Sequence, residues 1–588
     1  MDFGARPTQI GRVRHVLGAT VTVALDSDMA GVSPIYRGKL QPVGQIGSLV
    51  RIPQGLVDLV GSVTLLGIAE LAGPVTPAET VQSDERWLQV QLLGEINRAT
   101  GRFQRGVANY PALDDPVHFV TPRDLTAVYP GESDQHLRLG RLAAAEEVPV
   151  CLDAGRLVTR HSAVVGSSGA GKTSAVATFL QSFVRGGWTG ANVLIVDPHG
   201  EYPNALKDQA SVRSVLGEGQ DRLRVPYWAL PSADILRIFT GSPTIGATAT
   251  RRFADLVKDA RMTFAEKANW LHLDPSAITA DTPIPFDLRQ VWHRLDYENR
   301  ETRLNKADPA TVRETDAGDA AELRPAQFEH YGVGGLPPHQ GPDYNTYTTT
   351  PSLLRLGLMD PRLAFFQEPA GDPKGEDPLV EVIREWLGKD KPLSVLDFSG
   401  VPAEAADLAI GVVMNLIFEI AVRSEADGPG LGRPNPVLIV LEEAHRYLGE
   451  GASSLTRESA NRIAREGRKY GVGLMLVTQR PTELPRTALA QCGTLVALRL
   501  SNSEDQGAIR AALPDTVAGL AAVLPSLRTG EAIVSGEALV LPSRVLIDRP
   551  SPEPKAEDPS LKPWREVKVP VDSSRALAAW RGTYGAPP

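Results

Sequence analysis

Gly166–Thr173 reads GSSGAGKT, and its setting decides the fold. Ahead of it, HSAVV ends in the apolar run Ala163–Val165; behind it, SAVATFLQSFV has helical apolar spacing. A strand, a glycine-rich turn and a helix start, in that order, make a phosphate loop of the form GxxxxGK[ST]. Its glycines let backbone N–H groups turn inward around the β- and γ-phosphates, and the helix N-terminus adds partial positive charge. Lys172 pairs with the phosphates and Thr173 offers its hydroxyl to Mg²⁺. The expected ligands are ATP and Mg²⁺, met by Gly166, Ser168, Gly169, Ala170, Gly171, Lys172, Thr173 and Ser174.

The loop gives meaning to acids elsewhere. In PVLIVLEEAHRYL, Pro436–Leu448, five apolar residues run straight into Glu442 and Glu443. A triphosphate needs one carboxylate near its metal and another to orient or deprotonate the attacking water. Glu442 continues the strand and is the metal-side candidate; Glu443 is the water-side candidate. The competing reading is an acidic helix start that favours the N-terminal dipole. Asp197 ends the strand of VLIVDPHGEY. If that strand neighbours the loop strand, Asp197 reaches the water or the metal shell; otherwise it is a turn residue before Pro198. Gln479, in VTQRP, lies at a carboxyl edge, where an amide can sense the γ-phosphate.

The arginines stay open at this level. ESANRIAREGRKYG reads as a helix carrying Arg462, Arg465, Arg468 and Lys469. It is either an exposed helix stitched by pairs such as Glu458–Arg462 or the carrier of an arginine finger for a neighbour's γ-phosphate. Arg160, just before the loop strand, is equally ambiguous.

The rest of the chain frames this centre. A length of 588 residues implies roughly two to four structural units, and 22% charged residues is ordinary for a soluble protein. The net charge of -9 means that any nucleic-acid partner must meet a local basic surface. Cys151 and Cys492 form no CxxC pair and read as buried thiols in a reducing compartment. The N-terminus has no apolar run suited to a signal peptide. LAIGVVMNLIFEIAV contains Asn415 and Glu419 and reads as too short for a bilayer, so no membrane and a cytoplasmic location are expected.

Residues 1–135 show period-2 alternation, as in Val21, Val23, Leu25 and in Leu88, Val90, Leu92, with frequent Gly and Pro: a small barrel or sandwich. Residues 136–548 alternate fully apolar strands with helices, predicting a mostly parallel, helix-covered sheet of α/β class. A largely helical insertion is expected at 205–385, its charged middle exposed. The Pro-rich 549–588, with Trp564 and Trp580, suits an extended arm.

Taken in order, TRHSAVVGSSGAGKTS, VDPHGEY, LEEAHRYL, AREGRKYGVGL, VTQRP and QCGTLVALRLSNSEDQ resemble the HerA family of hexameric DNA-translocating ATPases, within the FtsK/HerA group. The resemblance implies a RecA-like P-loop motor preceded by a small β-barrel and carrying a helical insertion. It implies Asp197 and Glu443 in the hydrolytic centre, Gln479 as sensor, and Arg160 and Arg468 donated across a subunit interface. It further implies a homohexamer with double-stranded DNA in a central channel. The partner would be an effector docked on the barrel, a NurA-like nuclease or, in antiphage defence, a nuclease or sirtuin-like NADase. Two functions then stand: a DNA translocase working with that effector, or a ring scaffold whose ATPase controls it. A secretion pump of the same superfamily is disfavoured by the expected lack of a membrane anchor.

Overall fold

In a computed structural model the chain divides into two compact units. One comprises Met1–Val212, Leu387–Leu396 and Ile417–Lys555; the other comprises Arg213–Trp386, Asp397–Leu416 and Ala556–Pro588. The structure describes residues 8–26, 35–36, 39–40, 46–68 and 86–555, short gaps apart (216, 218, 243, 367–370, 402, 450–453 and 515–517), and a few residues beyond, such as 562–565. Most of the expected C-terminal arm, Trp580 included, lies outside the described residues.

The first unit opens with a barrel. Its strands are β1 (Gln9–Leu17), β2 (Thr20–Leu25), β3 (Leu49–Gln54), β4 (Val57–Ile68), β5 (Arg86–Asn97), β6 (Phe103–Arg105) and β7 (Pro116–Phe119). The order β2-β1-β7-β3-β4-β5 closes on itself through a β2–β5 pairing, and β6 adds to β5 outside the ring. Closure removes the sheet's edges. Alternation does the rest: Val21, Val23, Val50, Ile52, Leu88 and Val90 fill the interior while their polar neighbours face out.

An eleven-stranded sheet follows. Its strands are β8 (His136–Leu142), β9 (Ala145–Asp153), β10 (Ser162–Val165), β11 (Asn192–Asp197), β12 (Ala210–Ser214), β13 (Leu393–Asp397), β14 (Val437–Leu441), β15 (Val472–Thr478), β16 (Thr494–Leu498), β17 (Glu531–Gly536) and β18 (Ser543–Ile547). They lie in the order β9-β8-β18-β17-β16-β10-β15-β14-β11-β13-β12. From β16 to β11 neighbouring strands pair in parallel; from β9 to β16 they pair antiparallel. The parallel part is the motor sheet that the fully apolar runs predict; β14, β15 and β16 are buried along their whole length. The antiparallel part was not legible, because β8 and β18 interleave buried with half-buried residues and so lack those runs.

The strand order bears on Asp197. Its strand, β11, does not neighbour β10: β15 and β14 lie between them. The condition for a direct role beside the loop strand therefore fails.

The α-helices of the described residues, in chain order, are α1 (Pro122–Val128), α2 (Ala154–Thr159), α3 (Lys172–Arg185), α4 (Tyr202–Leu206), α5 (Ser232–Thr240), α6 (Ala247–Ala265), α7 (Leu288–Arg300), α8 (Thr350–Met359), α9 (Pro378–Trp386), α10 (Ala403–Arg423), α11 (His445–Leu448), α12 (Ser454–Tyr470), α13 (Arg486–Gln491), α14 (Ser503–Ala512) and α15 (Ala518–Ala521). By length and composition α10 could cross a membrane, contrary to the sequence expectation; 67% of its apolar window is buried within the protein, as in a core helix.

The second unit gathers α5 to α9 and two short ladders, Thr302–Arg303 with His339–Gln340 and Glu314–Asp316 with Gln327–Phe328, with Trp228, Trp292 and Trp386 buried within it. Its charged middle is mostly exposed or half-buried across 303–330, as expected, but the unit also buries individual charges. Glu298 on α7 is buried because Arg252 and Arg294 neutralise it, at 2.7 and 2.8 Å. Arg261 is fully buried, and donates to the carbonyls of Ala280, Trp228 and Leu230 at 2.7–3.0 Å. A buried charge survives when hydrogen bonds replace its lost water.

Candidate nucleotide site

The phosphate loop crosses from β10 to α3. Gly166 N donates to Thr478 O at 3.3 Å and Ser167 N to Arg499 O at 2.9 Å, pinning the loop between β15 and β16. Gly169 and Gly171 take φ of +70° and +98°, which disfavours any side chain. Gly171 also lies against Gly530, where a Cβ would sit 3.3 Å from the Gly530 nitrogen. Gly171 is the N-cap of α3 and supplies no side-chain cap. The first amides of a 14-residue helix thus face the loop as anion donors.

Lys172 is held below the usual lysine range by burial, against the opposing pull of Glu443, Glu442 and Glu201. Its Nζ reaches Ser167 O at 3.4 Å. Thr173 Oγ1 donates to Glu201 Oε2 at 2.8 Å. Among the described residues no group of three or more His, Cys, Asp or Glu could cage a metal. Mg²⁺ at a phosphate loop instead draws on a hydroxyl, phosphate oxygens and water, with one or two carboxylates at hand. Thr173 beside Glu201 fits that donor set.

Glu443 has the geometry of a water-side base. It sits at φ +51°, a left-handed conformation that a side chain adopts only at a cost. Gln479 Nε2 donates to its Oε1 at 3.3 Å. Its Oε2 is buried, accepts no hydrogen bond and lies 3.2 Å from His445 Nδ1. That ring nitrogen also meets Thr478 Oγ1 at 3.1 Å, while Arg480 N donates to the same oxygen at 3.0 Å. A half-shielded carboxylate, steadied by an amide at one oxygen and flanked by an imidazole at the other, is suited to orienting a water for attack.

Glu442 points elsewhere. It is buried, and Tyr202 donates its hydroxyl to Glu442 Oε1. Burial pushes this carboxyl up to about 8, and Glu201, Glu443 and Asp197 push in the same direction against the Tyr202 bond. Asp197 accepts from His199 N and Gly200 N through Oδ1, at 3.2 and 2.8 Å, and from Tyr202 N through Oδ2 at 3.0 Å. It folds the turn that presents Glu201 and Tyr202 to the site.

The two arginines lie far from this centre in their own chain. Residues lead into β10 and β15 at the amino edge of the parallel sheet, whereas Lys172, Glu443 and Gln479 stand at its carboxyl edge. Arg160 forms an ion pair with Glu537, and Arg468 is exposed on the last turn of α12. His161, between Arg160 and β10, accepts from Leu474 N at 3.0 Å and packs against Gly467 of α12, which ties both arginines to one edge. Arg462 pairs with Glu419 rather than Glu458, its guanidinium 4.9 Å from the centroid of Phe418.

Two further links matter. Arg105 on β6 donates to the carbonyls of Gly536 and Val540 at 2.6 Å and to that of Leu539, gripping the turn that carries Glu537. After β18 the chain crosses α3 and α4: Gln181 Nε2 donates to Pro552 O, Asn204 Nδ2 to Glu553 O, and Lys555 N to Glu201 O.

Sequence reasoning thus brought Lys172, Thr173, Glu443 and Gln479 to one place. It missed Glu201, Tyr202 and His445, although all three lie inside the quoted motifs.

Two family descriptions match the chain: "Helicase HerA, central domain" over residues 137–417 and "Helicase HerA-like C-terminal" over residues 425–545. The DNA double-strand break repair helicase HerA of Pyrococcus furiosus is 24% identical over 500 residues, 79% of this chain and 78% of that protein. Its namesake in Sulfolobus acidocaldarius is 26% identical over 464 residues, 78% of each. Among solved structures, VirB4 of Thermoanaerobacter pseudethanolicus aligns with a TM-score of 0.44 at 14% identity, covering 71% of this chain and 97% of that one.

Proposed function

Because this chain belongs to the HerA family of P-loop ATPases, we propose that it is a homohexameric motor that translocates duplex DNA by hydrolysing ATP at the joints between subunits. The chain is an ATPase; ring, DNA and trans arginines are the further reading. One observation carries it: Lys172, Glu443 and Gln479 stand at one edge of the parallel sheet and Arg160 and Arg468 at the other. A site with its base and phosphate loop in one chain, and its arginines turned away, is completed by a second copy. The names of the Pyrococcus and Sulfolobus relatives supply the DNA substrate.

The residues divide the work. Amides of the loop and Lys172 bind the β- and γ-phosphates. Glu443 accepts hydrogen bonding from the attacking water and takes its proton as the γ-phosphoryl leaves the β-phosphate oxygen. Gln479 holds Glu443 and can register the γ-phosphate. Mg²⁺, when bound at Thr173, neutralises charge on the phosphate oxygens. Arg160 and Arg468 of the adjacent copy would stabilise the transition state, and closure of the joint would move the elements that grip the DNA backbone.

The effector reading also has a specific support. Turns at Leu17–Thr20, Gln54–Val57 and Asn97–Phe103 share one end of the barrel with the 110–115 loop. That end exposes Leu17, Leu56, Tyr110 and Leu113. Four large apolar side chains at a barrel end suit the docking of an effector protein, of nuclease or NADase class, in cytoplasmic DNA processing or antiphage defence. On the alternative reading the ring is chiefly that effector's scaffold.

ATP hydrolysis by the purified protein, with and without duplex DNA and in Glu443→Gln, tests the proposal. Hydrolysis stimulated by DNA and abolished in the variant supports the motor. DNA-independent turnover, with tight binding of the effector, favours the scaffold. Light scattering that gives a monomer under all nucleotide conditions removes the ring.

A further inference from the structure

The nucleotide site contains a carboxylate that the motif logic leaves out. Glu201 lies four residues past the end of β11, where Asp197 gathers three backbone amides and turns the chain back. The turn aims two consecutive side chains at two targets. Glu201 meets the hydroxyl of Thr173 at 2.8 Å, and Tyr202 meets the carboxylate of Glu442. The backbone of Glu201 is fixed as well, because its carbonyl accepts from Lys555 N at 3.0 Å.

A threonine hydroxyl that ligates a metal must offer an oxygen lone pair and send its proton elsewhere. Here the proton already goes to Glu201 Oε2, which leaves the oxygen's lone pairs available to a cation. Glu442, the acid that directly continues β14, is buried and its nearest donor is the Tyr202 hydroxyl. Its carboxylate is occupied by the core, while that of Glu201 holds the hydroxyl that would ligate the ion.

We propose that Glu201, not Glu442, is the carboxylate of the Mg²⁺–nucleotide site: it would hold the Thr173 hydroxyl with its lone pairs turned to the ion. This rests on the nucleotide-site reading above. Glu201 is a positioning residue; Glu442 is a structural acid of the sheet edge.

The test is the Mg²⁺ dependence of nucleotide binding in the full-length protein, read with a fluorescent ADP analogue, alongside Mn²⁺ binding by paramagnetic resonance. Second-shell acids are worth about 10–100-fold in metal affinity. Glu201→Gln should therefore raise the half-saturating Mg²⁺ concentration at least ~10-fold, while binding of the analogue in EDTA is kept. Glu442→Gln should leave the Mg²⁺ midpoint where it is. In a Thr173→Val background, Glu201→Gln should add little, because it acts through that hydroxyl. Glu201→Asp, which keeps the charge, serves as a folding control and should fall between wild type and the Gln variant. A Mg²⁺ midpoint moved by Glu442→Gln and unmoved by Glu201→Gln overturns the proposal. So does a Glu201→Gln effect of equal size with and without the Thr173 hydroxyl. If the wild type binds no analogue at all, the nucleotide-site reading itself has failed, a result distinct from either.

Discussion

Mixing Arg160→Ala protomers with Lys172→Ala protomers decides which nucleotide the arginine serves. Ser162–Val165 separates Arg160 from the phosphate loop, and these residues span about 13 Å at 3.3 Å each. An arginine side chain reaches roughly 7 Å from its Cα, and this one is turned toward Glu537. It cannot meet a nucleotide on its own Lys172. Where an arginine finger contributes about 10³–10⁵ in rate, its loss adds ~4–7 kcal/mol to the barrier, so each variant alone should be nearly inactive. A mixed ring contains a new joint: the intact phosphate loop of an Arg160→Ala protomer facing the intact arginine of a Lys172→Ala protomer. Equal random mixing makes about one quarter of the joints of a cyclic ring this kind. The mixture should then hydrolyse ATP at about a quarter of the wild-type rate if joints fire independently. The assay is a coupled ATPase measurement after subunit exchange, with exchange verified by native mass spectrometry of differently sized tags. Fully exchanged rings no more active than either parent would refute the trans assignment, since only an arginine acting in its own chain, or not at all, gives that result.

Three other outcomes follow from the same geometry. Glu443→Asn should abolish turnover while retaining ATP; because Asn tolerates the left-handed φ that Glu443 occupies, calorimetry should show stability unchanged or raised by up to ~1 kcal/mol, and a clear loss would contradict the strain argument. Burial pushes His161 down to about 4 from an ordinary 6.5, against a hydrogen bond with the Ala464 backbone. The unfolded chain therefore takes up the proton first as pH falls, so the stabilising contribution is intact above pH 6.5 and drains away toward pH 4, by up to about 3 kcal/mol; urea melts of His161→Asn should show a flatter dependence over that window. Tyr202→Phe leaves the buried Glu442 without its donor, and should lower stability by ~1–3 kcal/mol in thermal melts with the phosphate loop still able to bind nucleotide.

Much of this was legible because the motor strands are buried on both faces. Runs such as Val437–Leu441 have no alternative but the middle of a covered sheet, and a glycine-rich turn between one of them and a helix has few readings besides a phosphate loop. The barrel announced itself through alternation. Strand order was not legible: nothing in VLIVDPHGEY says that two strands separate β11 from β10. Side-chain direction was hidden for the same reason. Glu442 and Glu443 are adjacent in sequence, yet one turns into the core and meets Tyr202 while the other takes a left-handed φ and meets Gln479. Glu201 escaped notice because a turn, not a strand end, delivers it to Thr173. Arg462 found Glu419, not Glu458, because a facing helix offered a carboxylate together with the ring of Phe418.

The Arg105 grip has a mechanical consequence. Three hydrogen bonds tie the barrel's outer strand to the turn at Gly536–Val540, and one ion pair ties that turn to Arg160. Close-packed interiors deform little and pass displacement along. A displacement of the barrel's outer strand would therefore be passed to the turn that carries Glu537. The barrel and Arg160 are thereby joined through a single turn, and the far end of that link is the residue we propose serves the next subunit's ATP.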